Sequence, residues 1–365
     1  MRIGFFLNPI AGMGGPVGLK GTDGNAILKE ARSRGAIPIA ASRMEEALAN
    51  LDLNGVEILC AGGVMGSSLL DRLGFKFAVI HDPSEPTSSE DTKAICRACL
   101  EAKVDLIVFC GGDGTARDVL DIVGESIPVL GVPAGVKMHS AVFAMKPSSA
   151  ANLIARFIRG EVSTKRAEVM DIDEDSYREG RISSRLYGYL RIPYEASLVQ
   201  PIKGEYEGAS AEQEKDDISE YIAEEMRPDV LYLLGPGTTV QALAGKLNIP
   251  KTLLGVDIIK AGRMILQDAT ENEILKLVEE SENSEIIVTP IGAQGFIFGR
   301  GNQQISSKVI RRVGLKNIRV LAAPTKLAET TVLRVDTGDA DLDLLLVGYI
   351  KVVVGNRRER VIRVE

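Results

Sequence analysis

The sequence predicts an α/β fold in two parts, a first domain built around a parallel sheet and a second domain rich in β-strands. Three observations support this prediction. Residues 1–150 alternate short apolar runs with helical patterns, as βαβ units do. The runs are nearly continuous in apolar residues, as expected for strands covered on both faces. Beyond residue 165 the pattern changes to alternating, turn-rich segments.

The first part contains six predicted strands separated by helical stretches. Helical patterns such as GNAILKEARSRG and EDTKAICRACLEAK lie between strands, and a longer one, PSSAANLIARFIRGE, follows at 147–161. The change of character near residues 146–165 divides the chain into predicted domains 1–150 and 151–365. The predicted strands, in chain order, are RIGFFL, AIPIA, VEILC, FKFAVI, VDLIVFC and IPVLGV.

The second part begins with AEVMDIDEDSYREGRISSRLYGYLRIPYE, which has the alternation and turn residues of antiparallel strands. The charged stretch GASAEQEKDDISEYIAEEM is typical of a helix. It is followed by PDVLYLLGPGTTVQALAGKLNIPKTLLGVDII, a strand, a glycine loop, a helix and a further strand. An α/β segment around 205–285 therefore interrupts the β-rich part, and the end of the chain is mostly β.

Charge and hydropathy exclude several function classes. The chain has 365 residues and a net charge of −7, and no basic patch of the nucleic-acid-binding type is present. No apolar run reaches the roughly 18 residues of a membrane span. The N-terminus lacks the apolar region and cleavage site of a signal peptide, so we expect a cytoplasmic protein without nucleic-acid or membrane partners.

Four glycine-rich turns follow predicted strands, at residues 8–24, 61–68, 111–115 and 235–239. Ligands of parallel sheets bind at the carboxyl ends of strands. Glycine lets a ligand approach the main chain, and free N–H groups at the next helix attract anions. Each turn could also be only a tight connection, but four of them favour a nucleotide or phosphate. In GPGTT we predict phosphate-binding residues Gly235, Gly237, Thr238 and Thr239.

Asp113 is the most informative residue, since a carboxylate among phosphate-binding N–H groups is electrostatically unfavourable unless it has a role. It could hold Mg²⁺, accept a proton from an attacking hydroxyl, or cap the helix that follows. Phosphoryl transfer needs mainly positioning and charge neutralisation, which one carboxylate, a metal ion and N–H groups would supply.

Gly111-Gly112-Asp113-Gly114-Thr115 resembles the GGDGT motif of the ATP-NAD kinase superfamily, which includes NAD kinases, 6-phosphofructokinases and diacylglycerol-type lipid kinases. Further segments carry the resemblance over most of the chain, and it points to the divergent branch related to the AcoX proteins. These segments are NPIAG at 8–12, GVPAGVKMHSAVFA at 131–144, VTPIGAQGFIFGRGNQQIS at 288–306 and LAAPTKL at 321–327.

The resemblance implies a Rossmann-like N-terminal domain and a β-rich C-terminal domain with an α/β insertion, with the active site between them. It implies that Asp113 activates the 2′-hydroxyl of the adenosine ribose of NAD. ATP or another phosphoryl donor and Mg²⁺ or another divalent cation would complete the reaction, and we also expect a homo-oligomer. The substrate-binding residues that it implies are Asn8, Gly111, Gly112, Gly114, Thr115, Thr289, Pro290 and Gly292.

Two departures from the family pattern concern the acceptor. Ala293-Gln294 stands where the family has Ser-Thr, and we expect Gln294 to take over some nucleotide contacts. The family's Asn-Glu motif is not found between residues 160 and 200, where YGYLRIPYE lies. The main hypothesis, which rests on the resemblance, is a kinase that converts NAD to NADP. The alternatives are a kinase of the same superfamily acting on another small alcohol, and a non-catalytic nucleotide-binding regulator.

Overall fold

The computed structural model of the chain describes residues 1–19, 25–49, 51–135, 138–172, 184–195, 198–199 and 209–365. The chain folds into two compact units. The first comprises Met1–Met13, Gly21–Lys29 and Ile37–Ile202, and the second comprises Gly14–Lys20, Glu30–Ala36 and Lys203–Glu365. The domain boundary expected after residue 150 stays a prediction. No helix in the described part of the chain is long and apolar enough to cross a membrane.

The first unit is built on a five-stranded sheet in which every neighbouring pair is parallel. The strand order is β3-β2-β1-β4-β5, so the order reverses between β1 and β4. All residues of β4 are buried, as its unbroken apolar run predicts. The strands are β1 (Arg2–Leu7), β2 (Glu57–Ala61), β3 (Phe77–His81), β4 (Leu106–Gly111) and β5 (Val129–Pro133).

Helices of the first unit begin where the sequence offers start signals. Ser88 and Asp91 form a capping box at the start of α4, and a proline occupies the first turn of α6. The apolar faces of all but the first of these helices are buried with the sheet in one hydrophobic cluster. The helices are α1 (Asn25–Ser33), α2 (Ala40–Leu48), α3 (Ser67–Arg72), α4 (Ser89–Glu101), α5 (Asp113–Val123) and α6 (Pro147–Ile158).

Two antiparallel strands complete this unit, β6 (Thr164–Ile172) and β7 (Ser184–Pro193). The register of the pair shifts between Val169 and Met170, which marks a local irregularity of the bulge type. The antiparallel prediction is confirmed for these residues, and YGYLRIPYE supplies most of β7. The turn predicted over residues 173–183 lies outside the described part of the chain.

The predicted strand AIPIA is wrong. No strand forms at residues 36–40, and α2 begins at Ala40. Pro38 has no N–H to donate to a ladder, and the Ile37 side chain is 72% exposed, so this apolar run is not buried in the sheet. The remaining five predicted strands of this part are all present.

A nine-stranded mixed sheet forms the centre of the second unit, in the order β10-β9-β8-β11-β13-β15-β16-β14-β12. The strands are β8 (Leu231–Leu234), β9 (Asp257–Lys260), β10 (Arg263–Leu266), β11 (Ser284–Val288), β12 (Phe296–Phe298), β13 (Ile318–Leu321), β14 (Val332–Val335), β15 (Gly348–Gly355) and β16 (Arg358–Val364). The helices are α7 (Ala209–Glu225), α8 (Thr238–Lys246), α9 (Glu271–Glu280), α10 (Ser307–Val313), α11 (Pro324–Glu329) and α12 (Ala340–Leu346).

Strands β8, β11, β13 and β15 run parallel and adjacent, as in an α/β fold. Their carboxyl ends therefore lie along one edge of the sheet. The loop at Gly235 follows β8 and the turn at Thr289 follows β11, so both leave the sheet at this edge. Two hydrophobic clusters of buried residues pack about the sheet.

Part of the first glycine-rich loop belongs to this second unit. The Pro16 carbonyl accepts a hydrogen bond from the Glu271 N–H at 2.9 Å, at the start of α9. A Cβ atom at Gly15 would collide with the side-chain amide of Gln303. The glycine at position 15 is therefore explained by close packing, and residues 20–24 of the predicted loop lie outside the described residues.

Candidate functional site

The first candidate site lies where the strand order reverses, at the carboxyl ends of β1 and β4. Ligands bind preferentially at such a switch point in open α/β sheets. Asn8 follows β1 directly, and its backbone N–H donates to the Cys110 carbonyl at 2.9 Å. Its side-chain Nδ2 donates to Thr115 Oγ1 at 3.0 Å. The structure thus brings the predicted residues Asn8 and Thr115 together across the switch point.

The two glycines after the last apolar residue of β4 are required by close contacts. A Cβ atom at Gly111 would lie 2.5 Å from Thr115 Oγ1. At Gly112 a Cβ atom would lie 3.2 Å from the Gly135 Cα atom. The Gly111 carbonyl also accepts the N–H groups of Ala134 and Gly135, which follow β5. A side chain at Gly111 would therefore displace Thr115, and one at Gly112 would push the turn away from the loop after β5.

Helix α5 starts in the middle of the GGDGT stretch. Gly112 precedes the first turn of α5. Its carbonyl accepts the Ala116 N–H at 3.0 Å, which is the first backbone hydrogen bond of the helix. The N–H groups of Asp113, Gly114 and Thr115 therefore have no acceptor within the helix. Together with the helix dipole, such groups form an anion-binding position.

The Asp113 carboxylate is buried and does not cap its own helix. Its Oδ2 atom accepts the His139 N–H at 2.6 Å, and its Oδ1 atom accepts the Ser140 N–H at 3.0 Å. Burial raises the pKa of Asp113 to about 7, although the Ser140 side chain and these two amides act to lower it. A carboxylate has about four acceptor positions, so each oxygen keeps capacity for a further hydrogen bond.

A second carboxylate, Asp171 of β6, also raises the pKa of Asp113 through its charge. Arg117 of α5 pairs with Asp171 at 2.8 Å, and its guanidinium lies 4.3 Å from the ring centre of Tyr187. Because the positive charge of Arg117 balances the negative charge of Asp171, the second carboxylate adds little net charge to the site. A base with a pKa near 7 is well matched to proton transfer at neutral pH.

In the second unit, the GPGTT loop forms the predicted strand-to-helix turn. Gly235 continues the ladder by donating its N–H to the Ile287 carbonyl at 2.8 Å. Gly237 precedes α8 with φ of 118°, a conformation that favours glycine. Thr238 is exposed and Thr239 is buried, in the first turn of α8. Both threonine side chains are without a hydrogen bond to any described residue.

The Thr289 turn contacts this loop directly. A Cβ atom at Gly237 would lie 2.5 Å from Thr289 Cγ2. The Thr289 Oγ1 atom is buried and has no hydrogen-bond partner among the described residues. GPGTT and Thr289-Pro290, which are about 50 residues apart in the sequence, are therefore neighbours in the structure. Hydroxyls without partners beside a helix N-terminus are available to a ligand that reaches them after a small rearrangement.

Pro290, Gly292 and Gln294 follow on the same turn, which contains a single 3₁₀ turn over Gly292–Gln294. Gln294 is buried, with Oε1 3.4 Å from Arg300 Nη1, and its main-chain carbonyl accepts Arg334 Nη1 at 2.9 Å. Burial lowers the pKa of Arg334. The predicted nucleotide contact of Gln294 stays a prediction, since the structure shows its side chain beside Arg300.

Sequence reasoning missed several groups of these two sites. The His139 and Ser140 amides lie in GVPAGVKMHSAVFA, where a glycine loop after β5 is the only signal, and residues 136–137 of that segment are outside the described ones. Arg300 and Arg334 gave no signal, since isolated arginines are common on surfaces. Burial of Arg300, which is 6% exposed, distinguishes it in the structure. The described residues contain no cluster of three or more metal-binding side chains.

Comparison with known protein families gives two matches. The description "ATP-NAD kinase N-terminal domain" matches residues 3–162, which include the site at Asp113. The description "ATP-NAD kinase C-terminal domain" matches residues 227–364, which include both GPGTT and the Thr289 turn. No curated protein and no solved structure gives a significant match.

The two matches follow each other in the order of the two domains and together cover most of the chain. The resemblance inferred from the GGDGT motif is confirmed, and so is the fold class, a parallel-sheet domain followed by a β-rich one. The chain therefore belongs to the ATP-NAD kinase family and is a phosphotransferase of the NAD kinase type.

Proposed function

We propose that the protein transfers a phosphoryl group from ATP, or from another phosphoryl donor, to the 2′-hydroxyl of the adenosine ribose of NAD, which gives NADP. The observation that carries this proposal is the buried Asp113 carboxylate at the switch point, with a pKa raised to about 7. A binding protein for phosphates would gain little from a carboxylate at an anion-binding helix N-terminus. A phosphotransferase would use it as a base.

In this reaction Asp113 accepts the proton of the ribose hydroxyl while the hydroxyl oxygen bonds to the γ-phosphorus. The bond from that phosphorus to the β,γ-bridging oxygen breaks, and ADP leaves. The His139 and Ser140 amides hold the carboxylate in place, at 2.6 and 3.0 Å. Asp113 later releases its proton to solvent. The positioned base contributes about 10²–10⁴-fold to the rate.

The N–H groups of Asp113, Gly114 and Thr115 supply positive potential for phosphate oxygens. Asn8 orients the Thr115 hydroxyl through the 3.0 Å hydrogen bond. Gly111 and Gly112 keep the turn narrow enough for a ligand to approach the main chain. These are the substrate-binding roles that we assign to the first unit.

A divalent cation such as Mg²⁺ fits this site only as a partner of the donor phosphates. The described residues offer no cage of three metal-binding side chains, and Mg²⁺ is commonly held by few carboxylates together with phosphates and water. When bound, the cation would neutralise charge on the β- and γ-phosphates.

In the second unit we propose that Gly235, Gly237, Thr238 and Thr239 bind phosphate, with Thr289 beside them. The unpartnered Thr239 and Thr289 hydroxyls and the start of α8 support this role. Pro290, Gly292 and Gln294 would contact the NAD nucleotide. We further propose that the protein acts as a homo-oligomer, which light scattering of the purified chain would test.

The direct test is an assay of the purified protein with NAD, ATP and MgCl₂, in which NADP is detected by an NADP-specific dehydrogenase. We expect NADP formation by the wild type and its near loss in Asp113→Asn. The matched control is Asp121→Asn, which removes a carboxylate from the same helix where it pairs with Lys93 at the surface. That control should keep full turnover.

A wild type that forms no NADP would reject NAD as the acceptor. Screening of other phosphorylatable alcohols with the same donor would then distinguish the two alternatives. Turnover of another alcohol that depends on Asp113 would assign a different kinase of this family. Nucleotide binding by calorimetry without any turnover would assign a regulator.

A further inference from the structure

Ser140 is a buried residue of the loop between β5 and α6, with no exposed surface. Its backbone N–H donates to Asp113 Oδ1 at 3.0 Å, and the preceding N–H of His139 donates to Oδ2 at 2.6 Å. Both oxygens of the carboxylate are therefore held by one short segment of this loop. The position of Asp113 depends on where that segment is anchored.

The anchor is the Ser140 hydroxyl, which binds both backbone groups of Met170 in β6. Ser140 Oγ donates to the Met170 carbonyl at 2.8 Å and accepts the Met170 N–H at 3.0 Å. This is the point at which the β6–β7 register shifts, between Val169 and Met170. An irregular ladder leaves backbone groups that need other partners, and one serine hydroxyl satisfies both.

The next residue continues the attachment, because the Ala141 N–H donates to the Glu168 carbonyl at 2.9 Å. Ser140 thus faces two ways, with its amide on Asp113 and its hydroxyl on β6, and the hydroxyl is also near enough to the Asp113 carboxylate to act on the pKa of that carboxylate. Alanine at this position would keep the amide but lose both side-chain hydrogen bonds. It would leave the N–H and the carbonyl of Met170 without these partners.

We propose that Ser140 is a positioning residue, whose hydroxyl fixes the loop to the irregularity in β6 and so holds the His139 and Ser140 amides on the Asp113 carboxylate. Its catalytic consequence rests on the proposed function of Asp113 as a base. Ser140 touches no substrate in this role and acts through Asp113. A displacement of a catalytic group by about 1 Å can cost about 10²-fold in rate.

The first measurement does not need activity. Hydrogen–deuterium exchange at the His139 and Ser140 amides reports whether the segment stays on Asp113. We expect Ser140→Ala to lower protection of these amides by about tenfold, because the segment loses both hydrogen bonds that anchor it to Met170. In the Ser140→Ala background, Asp113→Asn should add little further loss, because the two changes act on one interaction.

The matched control is Ser219→Ala, which removes an equally buried serine hydroxyl that donates to the Lys215 carbonyl within α7. It should leave exchange at His139 and Ser140 unchanged. Should Ser140→Ala fail to fold, Ser140→Cys replaces it, since the thiol has similar size and is a weak hydrogen-bonding group. Protection within about twofold of the wild type in the folded variant would overturn the proposal.

The second measurement is the division of the effect between kcat and KM. We expect Ser140→Ala to lower kcat about tenfold or more, with both KM values within about threefold, because the base and not the binding groups is displaced. A kcat equal to that of Ser219→Ala would overturn the positioning role. A wild type without NAD kinase activity would reject the proposed function alone, and the exchange measurement would still decide whether Ser140 holds Asp113.

Discussion

The turn from β4 to α5 and the turn from β8 to α8 use the same backbone design for different chemistry. Each follows a buried strand at the carboxyl edge of a parallel run and delivers glycines and a threonine to a helix start. In the first turn, Asp113 accepts two amides and Thr115 accepts a hydrogen bond from Asn8. In the second, Thr239 and Thr289 have hydroxyls without partners among the described residues.

The difference corresponds to two functions, proton transfer in the first turn and phosphate binding in the second. A group that moves a proton must be held in one orientation with a tuned pKa, and the first turn supplies the orientation through amides and the pKa through burial. A group that binds phosphate has to leave donors free for the ligand, and the second turn does so. The comparison teaches that a glycine turn is a scaffold, and that the side chains around it determine its role.

The largest expected effect comes from the first turn. Asp113→Asn should lower kcat by about 10²–10⁴-fold, because the amide cannot accept the proton. Binding of NAD, measured by calorimetry, should change little, and circular dichroism should confirm a folded variant. Full turnover in this variant would contradict the role of Asp113 as a base, and the two turns would then not differ in their chemistry.

The pH dependence of the wild type sharpens the same distinction. A base is active when deprotonated, so kcat/KM should be constant above about pH 7 and fall below it, by about tenfold per pH unit. The expected cause is protonation of Asp113, whose pKa is raised by burial. A profile that is flat between pH 5 and pH 8, at saturating donor and metal, would contradict this assignment.

The turn beside GPGTT should contribute to acceptor affinity. Gln294→Ala is expected to weaken NAD binding by about 1–3 kcal/mol if the amide contacts the nucleotide, because a buried polar partner would lose its hydrogen bond. Calorimetric titration with NAD gives the value. Gln303→Ala is the control that should keep wild-type affinity, because Gln303 lies beyond β12 and packs against Gly15. Equal affinities for both variants would remove Gln294 from the nucleotide site.

The smallest effect belongs to the second turn. Thr238→Val together with Thr239→Val keeps side-chain shape and removes two hydroxyls, so the KM for the donor should rise about fivefold to tenfold, as for loss of one or two hydrogen bonds. The KM for the acceptor should stay nearly constant. Steady-state kinetics with varied ATP would show it. Unchanged donor kinetics in the folded double variant would return GPGTT to a purely structural turn.

Much of this fold could be predicted because local signals and tertiary structure agree. The run LIVFC and the following Gly-Gly-Asp-Gly-Thr predict β4, the turn and α5 in the right order. The run AIPIA misled because its apolar residues imitate a strand, while Pro38 prevents a ladder and Ile37 stays exposed. Apolar content alone does not distinguish a buried strand from an exposed connection.

The site was only partly predictable, because half of its groups come from distant parts of the chain. Asp113 could be identified from its unusual setting among glycines. The amides that hold it belong to residues 26 and 27 positions later, and any residue type carries an N–H. Likewise, the contact between Gly237 and Thr289 depends on β8 and β11 being neighbours in the sheet. Such pairing between distant strands cannot be predicted from short stretches of sequence.

The segment around Pro16 has a consequence for the time course of biosynthesis. The residue that donates a hydrogen bond to the Pro16 carbonyl, Glu271, is translated about 250 residues later. At 5–20 residues per second, the ribosome reaches that position roughly 10 to 50 seconds afterwards. The nascent chain must carry the Pro16 carbonyl without this donor throughout that interval. The second compact unit therefore joins an early segment, Gly14–Lys20, to a much later one, Lys203–Glu365, and it is complete only after the later segment has been synthesised.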